Sequence, residues 1–288
     1  MTPRKKITTL DLQDKKKLGQ PLTMVTAYDY SSARLVDKAE MDMILVGDSL
    51  GMVMLGYDST VPVTTDQMLH HCQAVTRGAR FAFLIGDMPF GSYEVGSAEA
   101  VRNAVRFLKE GGMDAVKLEG GREMAATIEA MIKAGIPVMG HIGLTPQSLS
   151  KLGGYRVQGK TADSAFSLLQ DALALQSTGC FAIVLEAIPA SVAKLITERL
   201  NVPTIGIGAG AGCSGQVLVY HDMLGLFDKL QPRFVKKFAD VGETIGRALA
   251  TYRDEVMSGR FPAEEHTYSM PPEEMNKLVE ILKNTGIS

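Results

Sequence analysis

Four short apolar runs in this chain end in acids. Met43-Ile44-Leu45-Val46-Gly47-Asp48-Ser49 stops at a glycine and then presents a carboxylate and a hydroxyl. Phe81-Ala82-Phe83-Leu84-Ile85-Gly86-Asp87, Ala115-Val116-Lys117-Leu118-Glu119-Gly120 and Phe181-Ala182-Ile183-Val184-Leu185-Glu186 repeat the pattern. Each run is too short for a typical helix and reads as a buried strand that delivers polar groups to a sheet rim. In an α/β fold the C-terminal strand ends share one rim, and chemistry is usually built there.

Asp48, Asp87 and Glu119 would then neighbour one another. Three carboxylates in one pocket repel and raise each other's pKa unless a cation neutralises them. Oxygen-only ligands from separate strand ends suit Mg²⁺, which keeps positions open for substrate and water. The competing reading makes each acid a helix cap or a partner for loop amides. Lys117 stands two residues before Glu119 and shares its strand face. A substrate carboxylate, a structural ion pair and Schiff-base chemistry are all open to it. Glu186, across the rim, is placed to move a proton. His141 ends the run Pro137-Val138-Met139-Gly140-His141 and is open between a substrate contact and a rim histidine. His70 and His71 read as structural, and His221-Asp222, after the last strand, is ambiguous. The run Gly206-x-Gly208-x-Gly210-x-Gly212 suits either a phosphate cradle or close backbone packing against a flat ligand or a neighbouring strand.

The elements that must position these groups alternate along the chain. Strands are expected at 22–26, 43–47, 81–86, 115–119, 137–141, 181–186, 203–207 and 216–220. Helices are expected at 8–18, 31–40, 65–78, 97–111, 121–134, 161–178 and 189–200, with Ser31 or Ser32, Thr65 or Asp66, and Ser97 as N-caps. Residues 51–65 and 142–160 read as rim loops. The gap between the last two strands is too short for a crossover helix. Residues 224–259 carry mostly helical pattern, and 271–284 form a final helix. This alternation predicts an α/β fold, a (β/α)₈ TIM barrel with N- and C-terminal helical additions. A doubly wound sheet is the alternative. The expected organisation is one domain over 1–288, with the barrel at about 20–225 and C-terminal helices at about 226–288.

The 288 residues are 45% hydrophobic and 22% charged, with a formal net charge of −2. That balance offers no electrostatic case for nucleic acid or an acidic membrane. No apolar stretch is long enough to span a bilayer. Cys72, Cys180 and Cys213 are odd in number and lack metal-ligand spacing, which suggests a reducing compartment. The first ten residues are basic without an apolar core, so no signal peptide is read and a cytoplasmic protein is expected.

Several stretches resemble one family. They are Val46-Gly47-Asp48-Ser49-Leu50-Gly51 with Asp58-Ser59-Thr60, Asp87-Met88-Pro89-Phe90, and Val116-Lys117-Leu118-Glu119-Gly120-Gly121. Gly140-His141-Ile142-Gly143-Leu144-Thr145-Pro146-Gln147-Ser148, Gly153-Gly154-Tyr155-x-Val157-Gln158-Gly159, Gly206-Ile207-Gly208-Ala209-Gly210 and Gly215-Gln216-Val217-Leu218-Val219 continue it. Together they resemble the ketopantoate (3-methyl-2-oxobutanoate) hydroxymethyltransferases from about Thr8 to His266. The resemblance implies a (β/α)₈ barrel, Mg²⁺ dependence and a homodecamer of two pentameric rings. It implies transfer of a one-carbon unit from 5,10-methylenetetrahydrofolate to 3-methyl-2-oxobutanoate, giving 2-dehydropantoate on the route to pantothenate and coenzyme A. Asp48, Asp87 and Glu119 match its metal positions. Asp48, Ser49, Asp87 and Lys117 match its 2-oxo acid contacts, and Glu186 its proton acceptor. Two positions depart from the pattern. Gly86 stands where alanine is more usual, and Ser214 stands where an acid is expected, a departure read as bearing on the folate side. Another Mg²⁺-dependent 2-oxo acid enzyme, making or breaking C–C or P–C bonds without folate, is the alternative. A non-catalytic ligand-binding barrel with a structural metal is the other.

Overall fold

All eight expected strands form, each within two residues of its expected bounds. They are β1 (Leu22–Thr26), β2 (Met43–Val46), β3 (Phe83–Asp87), β4 (Ala115–Glu119), β5 (Val138–Gly143), β6 (Ala182–Glu186), β7 (Thr204–Ile207) and β8 (Gly215–Leu218). The strands are parallel, run in chain order and close into a barrel through β1 and β8. Closure excludes the doubly wound sheet. The computed structural model describes residues 4–148, 154, 156–229 and 232–286. These residues divide into two compact units, Met1–Ala239 and Asp240–Ser288.

The barrel is surrounded by α1 (Thr9–Lys17), α2 (Tyr30–Lys38), α3 (Leu50–Val53), α4 (Thr65–Gly78), α5 (Ser97–Lys109), α6 (Ala125–Lys133), α7 (Ala162–Thr178), α8 (Ala190–Arg199) and α9 (Tyr220–Met223). Among the described residues no helix separates β7 from β8. The second unit holds α10 (Val241–Met257) and α11 (Pro272–Thr285).

Several helix starts differ from expectation. The cap of α2 is Asp29, whose carboxylate accepts the Ser32 amide at 2.7 Å, and not Ser31 or Ser32. The cap of α4 is Thr64, and α5 follows Gly96. Caps depend on which side chain reaches the third amide of the turn, and the apolar period does not report that. The loop after Asp48 holds the short helix α3. Among the described residues of 224–259, regular helix is confined to α10. Gly225 ends α9 with φ +66°, and Pro232 follows in irregular chain.

Two apolar shells result from strand alternation. Inward residues Met24, Met43, Leu45, Phe83, Ile85, Ala115, Met139, Ala182, Val184, Ile205 and Val217 fill the lumen, with Leu12 of α1 packed against them. Outward residues such as Ile44, Val46, Leu84, Val116, Leu118 and Ile183 pack in a second cluster with the helices. The inward parity continues upward as Phe83-Ile85-Asp87, Ala115-Lys117-Glu119, Met139-His141 and Ala182-Val184-Glu186. The sequence that plugs the barrel therefore also points its charged residues into it.

The Gly86 departure has a packing cause. A Cβ at Gly86 would lie 2.4 Å from the ring of the fully buried Phe107 on α5. Overpacking of this kind costs about 1–3 kcal/mol. Gly86→Ala is expected to lower the urea unfolding free energy by that amount. Adding Phe107→Leu should make the alanine less costly than it is beside Phe107, as a double-mutant cycle by urea titration would read.

Candidate active site

Asp48, Ser49, Asp87, Lys117, Glu119, His141 and Glu186 all line one cavity at the C-terminal end of the barrel. Strand register brings them together. Asp87 is the pairing partner of Lys117, Glu119 of His141, and Glu186 of Gly143. Gly143 has φ +100°, and a Cβ there would meet the Glu186 carbonyl at 2.2 Å. Only glycine allows β5 to approach Glu186 so closely.

The charged groups form one buried network. Asp48, Asp87, Lys117, Glu119 and His141 are each 5% exposed or less. Lys117 Nζ lies 2.8 Å from Asp87 Oδ1 and 3.3 Å from His141 Nδ1. His141 Nδ1 is 3.5 Å from Glu119 Oε1, and its Nε2 is 3.2 Å from Glu186 Oε2. The imidazole thus bridges two carboxylates on different strands. The amide of Asp48 donates to Asp87 Oδ2 at 3.2 Å. Ser49 shares a 2.9 Å hydrogen bond with the Tyr28 hydroxyl.

Burial dominates the electrostatics. It pushes the Asp87 carboxyl up to about 7, against the pull of Lys117 and with the help of the Asp48 charge. Burial also raises Glu119. The Lys117 ammonium is disfavoured by burial, but Asp87, Glu119 and Asp48 more than offset this and hold it protonated. His141 is lowered by burial and by Lys117, yet its bonds to Glu119 and Glu186 carry it up to about 9.

Two residues without an assigned role organise the acids. Gln147, in a short 3₁₀ turn (Pro146–Ser148), donates from Nε2 to Asp48 Oδ2 at 2.9 Å and to the Met88 carbonyl at 3.0 Å. Its backbone amide donates to Glu119 Oε2 at 3.0 Å. The Tyr93 hydroxyl donates to Gln147 Oε1 at 2.6 Å and accepts the Glu119 amide at 3.3 Å. Gln147 stood within a recognised motif, but neither residue lies on a strand whose periodicity would have flagged it.

The donor set bears on metal binding. Among the described residues, no group of three or more His, Cys, Asp or Glu stands ready-made around an ion. Each acid is engaged instead: Asp87 by Lys117, Asp48 and Glu119 by Gln147. Mg²⁺ asks for less than a full protein cage, since one or two carboxylates with water and substrate suffice. Buried acids in excess over bases, all oxygen donors on one cavity, fit such an ion in type and location.

The glycine run does not form a phosphate cradle. Cβ atoms at Gly208, Gly210 and Gly212 would meet Phe234, Ala190 and Lys194 at 2.7, 2.4 and 2.7 Å. The run serves close packing against the chain itself. Ser214 exchanges hydrogen bonds with Thr204, and its carbonyl accepts the Leu22 amide, at the N-terminal ends of β7 and β1. It sits at the rim opposite the carboxylates, so its departure does not bear on the cavity.

The model of the family described as ketopantoate hydroxymethyltransferase matches residues 6–264. The chain belongs to that family. A protein of Heliobacterium modesticaldum named 3-methyl-2-oxobutanoate hydroxymethyltransferase is 58% identical over 269 residues, 93% of this chain and 98% of its own. One of the same name from Moorella thermoacetica is 56% identical, over 93% of this chain and 100% of its own. Among solved structures, phosphonopyruvate hydrolase superposes with a TM-score of 0.60 at 12% identity, covering 98% of each chain. A 2,3-dimethylmalate lyase gives 0.54 at 15%, covering 97% and 96%. At such identities these two share the barrel fold. Membership makes the chain a one-carbon transferase of the hydroxymethyltransferase type rather than a C–C or P–C lyase or mutase.

Two outcomes test the network of this family member. A histidine whose folded pKa is raised stabilises fully below its unfolded value of about 6.5, and this stabilisation disappears as pH rises through about 9. In metal-free buffer, raising pH from 6.5 to 9.5 should cost wild type up to about 3 kcal/mol more than His141→Gln. Urea titrations at the two pH values measure the difference. Gln147→Ala, which strands the Asp48 and Tyr93 oxygens, should lower the unfolding free energy by about 1–3 kcal/mol, where a surface glutamine would change it by about 0.5 or less.

Proposed function

We propose that this chain transfers a one-carbon unit from 5,10-methylenetetrahydrofolate to 3-methyl-2-oxobutanoate, giving 2-dehydropantoate and tetrahydrofolate with the uptake of water. Family membership supports the reading. The observation that carries it is a buried lysine among acids at the mouth of an apolar barrel, the arrangement a small 2-oxo acid needs. Lys117, held protonated, attracts the substrate carboxylate, with Ser49 and the Asp48 and Asp87 region as further contacts. Leu45, Val184, Ile207 and Val217 give the same cavity an apolar wall for the methyl branch and keep water from C3.

Asp48, Asp87 and Glu119 would hold Mg²⁺. Bound there, the ion supplies Lewis acidity for the ketone and its enolate. C3 is tertiary and weakly acidic, so a strong electrophilic site is the main requirement. Glu186 takes the C3 proton, and His141, 3.2 Å away, stabilises and orients its carboxylate. C3 then bonds to the methylene carbon, the carbon–nitrogen bond to the folate breaks, and water supplies the hydroxyl. Gln147 and Tyr93 keep Asp48 and Glu119 in place throughout.

We further propose that the enzyme works in the cytoplasm as a homodecamer. No helix among the described residues is long and apolar enough to cross a membrane. The second unit carries exposed apolar side chains on α10, Leu249, Tyr252 and Met257, which supports assembly with other chains.

Proton exchange at C3 of 3-methyl-2-oxobutanoate in D₂O, followed by NMR, tests the chemistry. Wild type with Mg²⁺ is expected to exchange the proton, and Asp87→Ala to do so about 10²-fold more slowly or worse. Exchange that persists without metal would sink the Lewis-acid role and turn attention to a Schiff base on Lys117. No exchange under any condition, folate included, would reject the substrate.

A further inference from the structure

The proposed chemistry leaves one acid of the cavity unused. Asp222, in α9 just after β8, lines the same cavity as Asp48, Asp87, Glu119 and Glu186. Those four each have a polar or charged partner: Gln147, Lys117, His141 or a backbone amide. Asp222 has none, because no side-chain hydrogen bond or ion pair reaches its carboxylate among the described residues. Burial alone pushes that carboxyl up to about 6. The adjacent His221 does not neutralise it. Its ring is packed on Tyr28 and Tyr220, and burial pulls its pKa below the usual histidine value.

The part of the lining that carries Asp222 is largely apolar. Phe227, Pro232, Phe234 and Val219 belong to it. The Phe234 ring is seated on the backbone of Gly208, where a Cβ would come within 2.7 Å of it. Behind the lining, the Tyr28 hydroxyl bonds Ser49 and feels the charges of both Asp222 and Asp48. The cavity encloses ≈ 150 Å³ and opens to solvent at its mouth.

We propose that Asp222, Phe227 and Phe234 form the seat for the bicyclic end of the one-carbon donor, a 2-amino-4-oxopteridine. This inference rests on the folate reading above. Such a ring presents a ring N–H and an amino N–H side by side, the pair of donors that a lone carboxylate takes in two parallel hydrogen bonds. Its faces suit phenylalanine rings at offset-stacking distance. The half-buried acid then gains the donors that it otherwise lacks. The two substrates lie side by side, with the 2-oxo acid on the β2–β6 side of the Tyr28–Ser49 bond and the pteridine on the β8–β1 side.

The experiment is tetrahydrofolate binding to the full-length, Mg²⁺-loaded enzyme by calorimetry, joined to steady-state kinetics. Asp222→Asn, nearly isosteric, should weaken tetrahydrofolate binding about tenfold or more. The KM for 5,10-methylenetetrahydrofolate should rise by a similar factor. The KM for 3-methyl-2-oxobutanoate should change less than about twofold, which a general structural defect would not permit. Phe234→Leu should weaken tetrahydrofolate alone in the same way, by a smaller factor, and keeps the test open if the first variant does not fold. Unchanged tetrahydrofolate affinity in a folded variant overturns the seat, as does an equal rise in both KM values. In either case wild-type turnover with folate leaves the parent reading standing. A wild type that neither binds tetrahydrofolate nor uses its methylene form rejects that reading, and the seat with it.

Discussion

An ammonium and a carboxylate 2.8 Å apart, both almost wholly out of water, constrain everything above the barrel floor. Lys117 and Asp87 are register partners on adjacent strands, and both have inward parity. Removing either would leave a buried charge without its partner, at a cost of about 3–5 kcal/mol. A one-residue slip of β3 against β4 would break the pair and turn the lumen side chains outward. The same register sets Glu119 beside His141, and Gly143 beside Glu186. Stability and site geometry therefore depend on one alignment of strands.

Below that level the lumen is apolar and stable by burial. Met24, Met43, Ile85 and Met139 fill it, Phe83 and Phe181 meet edge to face, and Leu12 packs against them. Above it, acids outnumber bases, and the excess is held by hydrogen bonds from Gln147 and by the imidazole of His141. Such a network stores unfavourable electrostatics that a cation or a substrate can relieve. Likeness to phosphonopyruvate hydrolase and to 2,3-dimethylmalate lyase extends over the barrel. On a shared scaffold, different chemistries come from the residues at the rim and in the loops above it.

The strands and their inward residues were legible because a buried strand has a period of two and stops at a glycine or a charge. Asp87, Lys117, Glu119, His141 and Glu186 follow from that count. Asp29 as the cap of α2 was not legible, because two serines next to it satisfy the same local rule. The pattern over 224–259 reads as helix, yet among the described residues there Gly225 and Pro232 leave regular helix only beyond Asp240. For the glycine run, local sequence left two readings equal. The decision came from Phe234, Ala190 and Lys194, residues far from a simple spacing rule.

The sequence alone determined the barrel, its strand order, the family and the inward acids and lysine, since all of these are carried by periodicity or by contiguous motifs. Tertiary structure decided what the charges do to one another. It joined Gln147 to Asp48 across 99 positions of chain, and Tyr93 to Gln147 across 54. It moved Ser214 to the opposite rim and left Asp222, in the cavity wall, without a side-chain partner among the described residues. Pairing, burial and pKa depend on distance through space, and a linear chain contains that distance only after the barrel has closed.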